Sequence, residues 1–143
     1  MGLPDDTYLF GRVISTAARW TLAEGSETTN LVYVFSHRSA SKAMPDRAHL
    51  RSDQLLIPPQ LINRLGWTRG YFETVGHLAF ADGEVLPVHC FEQGSGRSPR
   101  WFDEHANELC EPVSPVGVWG GGNYKTLEDE VCRALGIPVA TDE

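Results

Sequence analysis

The stretch LLIPPQLINRLGWTRGYFETVG, Leu55 to Gly76, decides how this chain folds. It bunches apolar and aromatic residues around Pro58-Pro59, Gly66 and Gly70; it has no histidine or cysteine, and its only acid is Glu73. Such a composition supplies packing and turns rather than chemistry. Proline removes a ladder donor and biases its predecessor toward extended geometry, so Gln54 to Ile57 reads as a short strand stopped by Pro58-Pro59. Residues 60–65 then read as a short helical turn, with Pro59 near its start and Gly66 near its end. Gly70 to Gly76 reads as the next strand, on which Tyr71 and Phe72 must face opposite sides. Leu61, Ile62, Leu65 and Trp67 are expected to pack beneath the sheet.

Outward from this stretch, the pattern is mostly β. Thr7 to Ser15, TYLFGRVIS, is aromatic and β-branched and predicts a strand, with Gly11 marking a bulge or a close backbone approach. Asn30 to Ser36 predicts its antiparallel partner across the polar link Glu24 to Thr29, and Ser39 to Ser52 reads as a surface loop or irregular helix. Asp82-Gly83 is a hairpin signal between Leu78–Ala81 and Val85–Phe91, Pro87 marks an edge or irregularity, and Glu92 to Arg100 is a loop by composition. Near the end, Leu127, Val131, Ala134 and Leu135 share one helical face. Thr126 is placed to cap that helix, Glu128 to Glu130 fall in its first turn, and Gly136 and Pro138 end it. Together these elements predict an α+β fold: a mainly antiparallel sheet that can close toward a barrel, with one C-terminal helix.

At 143 residues the chain has the length of one domain, 1–143, and its 41% apolar and 22% charged residues are those of a globular protein. Neither a leader pattern nor an apolar run of membrane-spanning length is present, which predicts a cytoplasmic protein. Gly2 invites comparison with a myristoylation signal, but Asp6 stands where Ser or Thr is required. Cys90, Cys110 and Cys132 are odd in number and widely spaced, as reduced thiols are. The charge is lopsided. Residues 1–81 carry eight Lys/Arg against seven Asp/Glu, whereas residues 82–143 carry four against twelve, so a net charge of −8 sits in the second part. An acidic surface repels phosphates, which argues against nucleic acid and anionic membranes as partners and favours either a solvated face or a basic protein partner.

Signals for catalysis are sparse. The five histidines, His37, His49, His77, His89 and His105, show no metal-ligand spacing, although His77, His89, Cys90 and His105 could converge in three dimensions. Gly120 to Thr126, GGGNYKT, fails as a phosphate loop because Tyr124 stands where a glycine must precede Lys-Thr, so it reads as flexible backbone leading into the helix cap. No nucleophile elbow is present, and Gly94-Ser95-Gly96 is too short to count. In Asp103 to Glu111, carboxylates stand at 103, 104, 108 and 111; on a helix, Glu104, Glu108 and Glu111 would share one face and repel one another. A basic partner would relieve that repulsion, and Trp101 beside them could anchor it. The competing reading is a core aromatic beside a solvated face.

The run LLIPPQLINRLGWTRGYFETV, with YLFGRVI and LVYVFS before it, resembles the immunity protein 26 family of bacterial polymorphic toxin systems. Pro58-Pro59 followed by Leu65-Gly66-Trp67-Thr68-Arg69-Gly70-Tyr71-Phe72 carries it most specifically; the likeness extends from Thr7 to about Phe91 and weakens beyond. The resemblance implies an immunity protein that binds and neutralises a cognate toxin stoichiometrically, with no cofactor and no catalysis. On that basis Pro58, Pro59, Gly66, Trp67, Gly70, Tyr71 and Phe72 are scaffold residues, and Trp101, Asp103, Glu104, Glu108 and Glu111 are candidate contacts for a basic, nuclease-type toxin. The family name is also joined to a small metal-dependent phosphotriesterase, which gives an alternative of a different class. One departure is visible: the family pattern includes a further strand before the segment matching Asp6 to Val13, and Met1 to Pro4 match only its tail. An absent strand would leave a sheet edge open.

Overall fold

The computed structural model describes residues 1–94 and 98–138. Two long strands, β1 (Tyr8–Ala18) and β2 (Thr29–Ser39), pair antiparallel, and β3 (Gln60–Ile62) adds to the other side of β2. The predicted break at Gly11 is present. Register slips between Leu9 and Gly11, and a Cβ on Gly11 would stand 2.8 Å from the Tyr33 carbonyl oxygen, so glycine lets the strands approach there. Between β2 and β3 the chain makes one 3₁₀ turn, Arg47–His49, and after β3 one helical turn, α1 (Leu65–Thr68).

A second sheet runs in the order β6-β5-β4-β7, from β4 (Cys90–Gln93), β5 (Arg100–Phe102), β6 (Glu108–Leu109) and β7 (Val116–Val118). Its pairs are antiparallel except β4 with β7, which is parallel. The two sheets remain separate and do not close into a barrel, which corrects that part of the expectation.

Helix α2 (Tyr124–Leu135) ends the described chain. Its cap is Asn123 rather than Thr126. The Asn123 side chain accepts from the Lys125 and Thr126 amides, and Thr126 Oγ1 accepts from the Asn123 amide, a reciprocal capping box. The helix therefore starts before the predicted point, so Glu128 to Glu130 fall beyond its first turn, where the macrodipole favours them less. Gly136, in the left-handed region at φ 70°, ends it as expected.

β2 fixes the layering. Its residues Thr29 to Phe35 are all buried, so both of its faces are covered. Val32 and Val34 share one face with Leu9, Ile57 and Ile62, against Leu127 and Val131 of α2. Leu31 and Leu61 point the other way, onto Phe91, Phe102 and Trp119 of the second sheet side, while Tyr33 and Phe35 pack on Leu50. The order is thus helix, first sheet, second sheet.

The stretch 55–76 departs from the sequence reading in three places. Residues 54–57 make only a bridge, Phe35 to Leu55, instead of a strand. Residues 60–62 are a strand, and the helical turn falls later, at 65–68. Residues 70–76 form no strand, and residues 78–81 and 85–89 form no hairpin arms around the Asp82-Gly83 turn. The Glu92 to Arg100 loop becomes the β4–β5 hairpin, with residues 95–97, and so part of Gly94-Ser95-Gly96, outside the described residues.

An alanine at Asn123 removes the acceptor for two helix amides and should lower stability by about 1 kcal/mol. Urea unfolding followed by circular dichroism will read this as a lower midpoint with an unchanged slope.

Candidate interaction surfaces

The motif at the centre of the sequence turns back on itself. After α1, Gly70 takes φ 78°, and the Tyr71 and Phe72 amides both return to the Gly66 carbonyl at 2.8 and 3.0 Å. A Cβ on Gly66 would lie 2.2 Å from the Phe72 ring, so glycine is what admits that ring. Phe72 meets Trp67 edge-on at 5.1 Å, while Tyr71 stacks on Tyr124 of α2 at 4.4 Å and Arg69 donates to the Tyr124 hydroxyl at 3.2 Å. Pro59 is fully buried and Pro58 half-buried, whereas Leu65, expected inside, is exposed at 38%. The motif docks α2 and fixes where the following segment leaves the core.

That segment, residues 70–81, is an irregular strap. Residues 73–80 are exposed throughout, including Val75, Leu78 and Phe80. The strap ends at a buried ionic cluster that nothing in the sequence reading anticipated. Glu84, only 2% exposed, accepts from Arg47 through Nε at 2.6 Å and Nη2 at 2.8 Å, from Arg12 Nη1 at 3.1 Å, and from the Ala81 amide at 2.9 Å. Arg12 Nη2 also donates to the carbonyls of Leu78 and Ala79, and Arg47 Nη2 to that of Ala79. Donation by Arg47 is the largest influence on the carboxyl; with the Ala81 amide and Arg12 it outweighs burial and lowers the pKa from 4.5 to about 2. The one legible signal was an acid directly after a DG turn, with arginines far away in sequence.

On the opposite side of the first sheet, the predicted contact residues do not line one helical face, because the segment is a hairpin. Asp103 builds its turn: Oδ1 accepts from the His105 and Asn107 amides, both at 2.9 Å, and Oδ2 from Asn107 Nδ2 at 3.3 Å. Glu108 forms a two-point pair with Arg100 at 3.0 Å, and that hydrogen bonding holds its carboxyl below the usual range. Trp101 is half-buried, its Nε1 bonded to Glu92 at 3.1 Å, and Glu111 is exposed. Glu104 instead turns inward, meeting His89 Nδ1 at 3.2 Å, with exposed His105 at 3.4 Å. Burial raises its pKa, but the His89 hydrogen bond and the neighbouring imidazoles bring it below its ordinary value.

His89 continues inward to the Tyr33 hydroxyl at 2.5 Å, and that hydroxyl also accepts from the Leu86 amide at 3.0 Å. Burial is what chiefly pushes the Tyr33 pKa up. This Tyr33–His89–Glu104 chain ties β2 to the acidic hairpin. His77, His89, Cys90 and His105 do not converge: among the described residues, no three His, Cys, Asp or Glu side chains are grouped to hold a metal ion. Nor is any helix among them long and apolar enough to cross a membrane. Cys110 is exposed, Cys90 and Cys132 are buried, and all three are free.

Fold and surfaces define an α+β scaffold that presents an acidic hairpin on one side of a sheet and an apolar strap on the other. The chain belongs to the immunity protein 26 family, whose model matches residues 1–103. Membership implies an immunity protein with a cognate toxin as partner. Neither the curated proteins nor the solved structures yield a match. The matched region takes in β1 to β5, the Gly66–Phe72 motif and the strap, and ends at Asp103.

Two outcomes follow from this geometry. Because the folded pKa of Glu84 is lowered, its contribution to stability is full above about 4.5 and fades as pH falls through about 2. In thermal scans against pH, the gap between wild type and Glu84→Gln should therefore be widest above pH 5 and narrow across that window. Tyr33→Phe leaves the Leu86 amide and a buried His89 nitrogen without their partner, which should cost about 1–3 kcal/mol in denaturant unfolding.

Proposed function

We propose that this protein binds its cognate toxin and neutralises it by stoichiometric occlusion, with the acidic hairpin β5–β6 and the residues after it as the contact surface. Family membership carries the reading. Charge refines it, since the net −8 of residues 82–143 suits a basic toxin, a nuclease-type protein being the natural example. A further support is position. Discrimination among toxins needs surface outside the common scaffold, and Glu104, Glu108 and Glu111 lie after the end of the family match.

Within this reading the candidate residues divide by role. Glu111 and Glu108, exposed and near the β6 end, meet the toxin, with Trp101, half-buried and paired across the ladder with Leu109, as the aromatic beside them. Asp103 and Glu104 act from beneath: one shapes the turn, and the other anchors the hairpin through His89. The phosphotriester hydrolase alternative gains no support from the family match or from the donor geometry.

The test is co-purification with the toxin encoded beside it, followed by association kinetics. Changing Glu108 and Glu111 together to glutamine should slow association by about threefold or more at low salt and flatten its salt dependence, leaving the fold intact. An unchanged rate moves the interface elsewhere, and failure of the wild-type protein to bind or inhibit the toxin removes the reading altogether.

A further inference from the structure

Helix α2 is twelve residues long, about 18 Å, and packs against β3 and the β2 valines, whereas β1 at the far edge of the sheet has eleven residues, about 36 Å. The helix therefore covers only part of that face of the first sheet, and the remainder lies under the strap. Between strap and sheet is a cavity of about 510 Å³ whose floor is Gly11, Val13, Val32 and Val34. Val32 and Val34 are buried there, with Leu127 of α2 at the wall of the same cavity.

The strap's attachments are unusual. None of the backbone amides of residues 73–80 has a hydrogen-bond acceptor among the described residues. Its entrance is Gly70 at φ 78°, and its exit is Gly83 at φ 79°, held by the Ser52 amide and hydroxyl at 3.1 and 3.0 Å. Beyond Tyr71 and Phe72, which are anchored on Tyr124, Trp67 and the Gly66 carbonyl, the contacts are the Met44 methyl against Gly76, an exposed Lys42–Glu73 pair at 3.4 Å, and the two arginines. Arg12 also lies 4.5 Å over the Phe80 ring. The far end of the strap is thus gripped by guanidinium donors to carbonyl oxygens, and both guanidiniums are aligned by one buried carboxylate.

We propose that residues 73–80 are a lid that moves between the anchored Tyr71-Phe72 pair and Gly83, is latched by Arg12 and Arg47 at Leu78 and Ala79, and depends on Glu84 to position both arginines. Gly76 and Gly83 are the small residues that absorb the backbone change, and residues 73–80, whose amides make no ladder bonds, can move without breaking any. Opening uncovers the apolar face of β1 and β2 while α2 and the second sheet stay in place. This inference concerns the face opposite the proposed toxin contact and stands or falls independently of it.

A thiol placed under the lid tests it. Val32→Cys in a Cys110→Ser background puts a near-isosteric thiol on the cavity floor, with Cys90 and Cys132 as buried internal references. Maleimide labelling resolved by peptide mass should be slow at position 32 with the latch intact. Glu84→Gln should accelerate it about tenfold, the scale of losing one charge-assisted contact, while the two reference thiols stay protected. Arg47→Gln, at a half-exposed side chain, should act in the same direction and keeps the test decisive if the Glu84 variant does not fold. Unchanged labelling at position 32 in the latch variants overturns the lid. So does acceleration that is equal at all three thiols, because it reports opening of the whole fold.

Discussion

β2 is the constraint from which the rest follows. Seven consecutive residues, Thr29 to Phe35, are buried, and alternation along a strand sends Val32 and Val34 to one face and Leu31, Tyr33 and Phe35 to the other. Both faces must be covered. One is covered by a short helix that cannot span the strand, so a strap completes it; the other is covered by a small sheet whose strands are only two to four residues long. Layer order, the cavity, and the presence of two distinct surfaces all result from covering this one strand.

Polar groups hold these covers in register. The Tyr33–His89–Glu104 chain runs from the buried centre of β2 to the foot of the acidic hairpin, and the Arg12–Glu84–Arg47 cluster runs from β1 to the end of the strap. Each satisfies a buried polar group, Tyr33 with His89 in one and the Glu84 carboxylate in the other, and among the described residues no buried side-chain polar atom lacks a partner. Such networks fix one arrangement of loosely packed loops, because any other would leave a charge or a hydroxyl unpaired away from water. They also explain how short strands suffice: the hairpin's position is set by Glu104 and Asp103 as much as by its ladder.

Much of the fold was legible before any coordinates. The β1–β2 pair, the irregularity at Gly11, the face of α2 made by Leu127 and Val131, and the stop at Gly136 all follow from local periodicity and from glycine's conformational range. The family likeness carried by Pro58-Pro59 and Leu65 to Phe72 was equally plain. Residues 60–76 were misread because their propensities are ambiguous over short runs. Gln60 to Ile62 became a strand because β2 offered a free edge, and Tyr71 and Phe72 were drawn back to the Gly66 carbonyl instead of into a sheet.

The acidic hairpin shows the same division in the candidate site. Sequence located the carboxylates and their net charge, but not that Glu104 faces inward, that Asp103 serves its own turn, or that Glu108 has Arg100 for company. The Glu84 cluster was invisible for a like reason: its arginines stand 72 and 37 residues away, and only the closure of the loops brings them together. By itself, then, the sequence determined which segments are buried, where the chain turns, and which family it resembles, because burial and turning are properties of neighbouring residues. Tertiary structure decided which charges are spent inside and which remain to meet a partner, because a charge is satisfied by whatever lies near it in space.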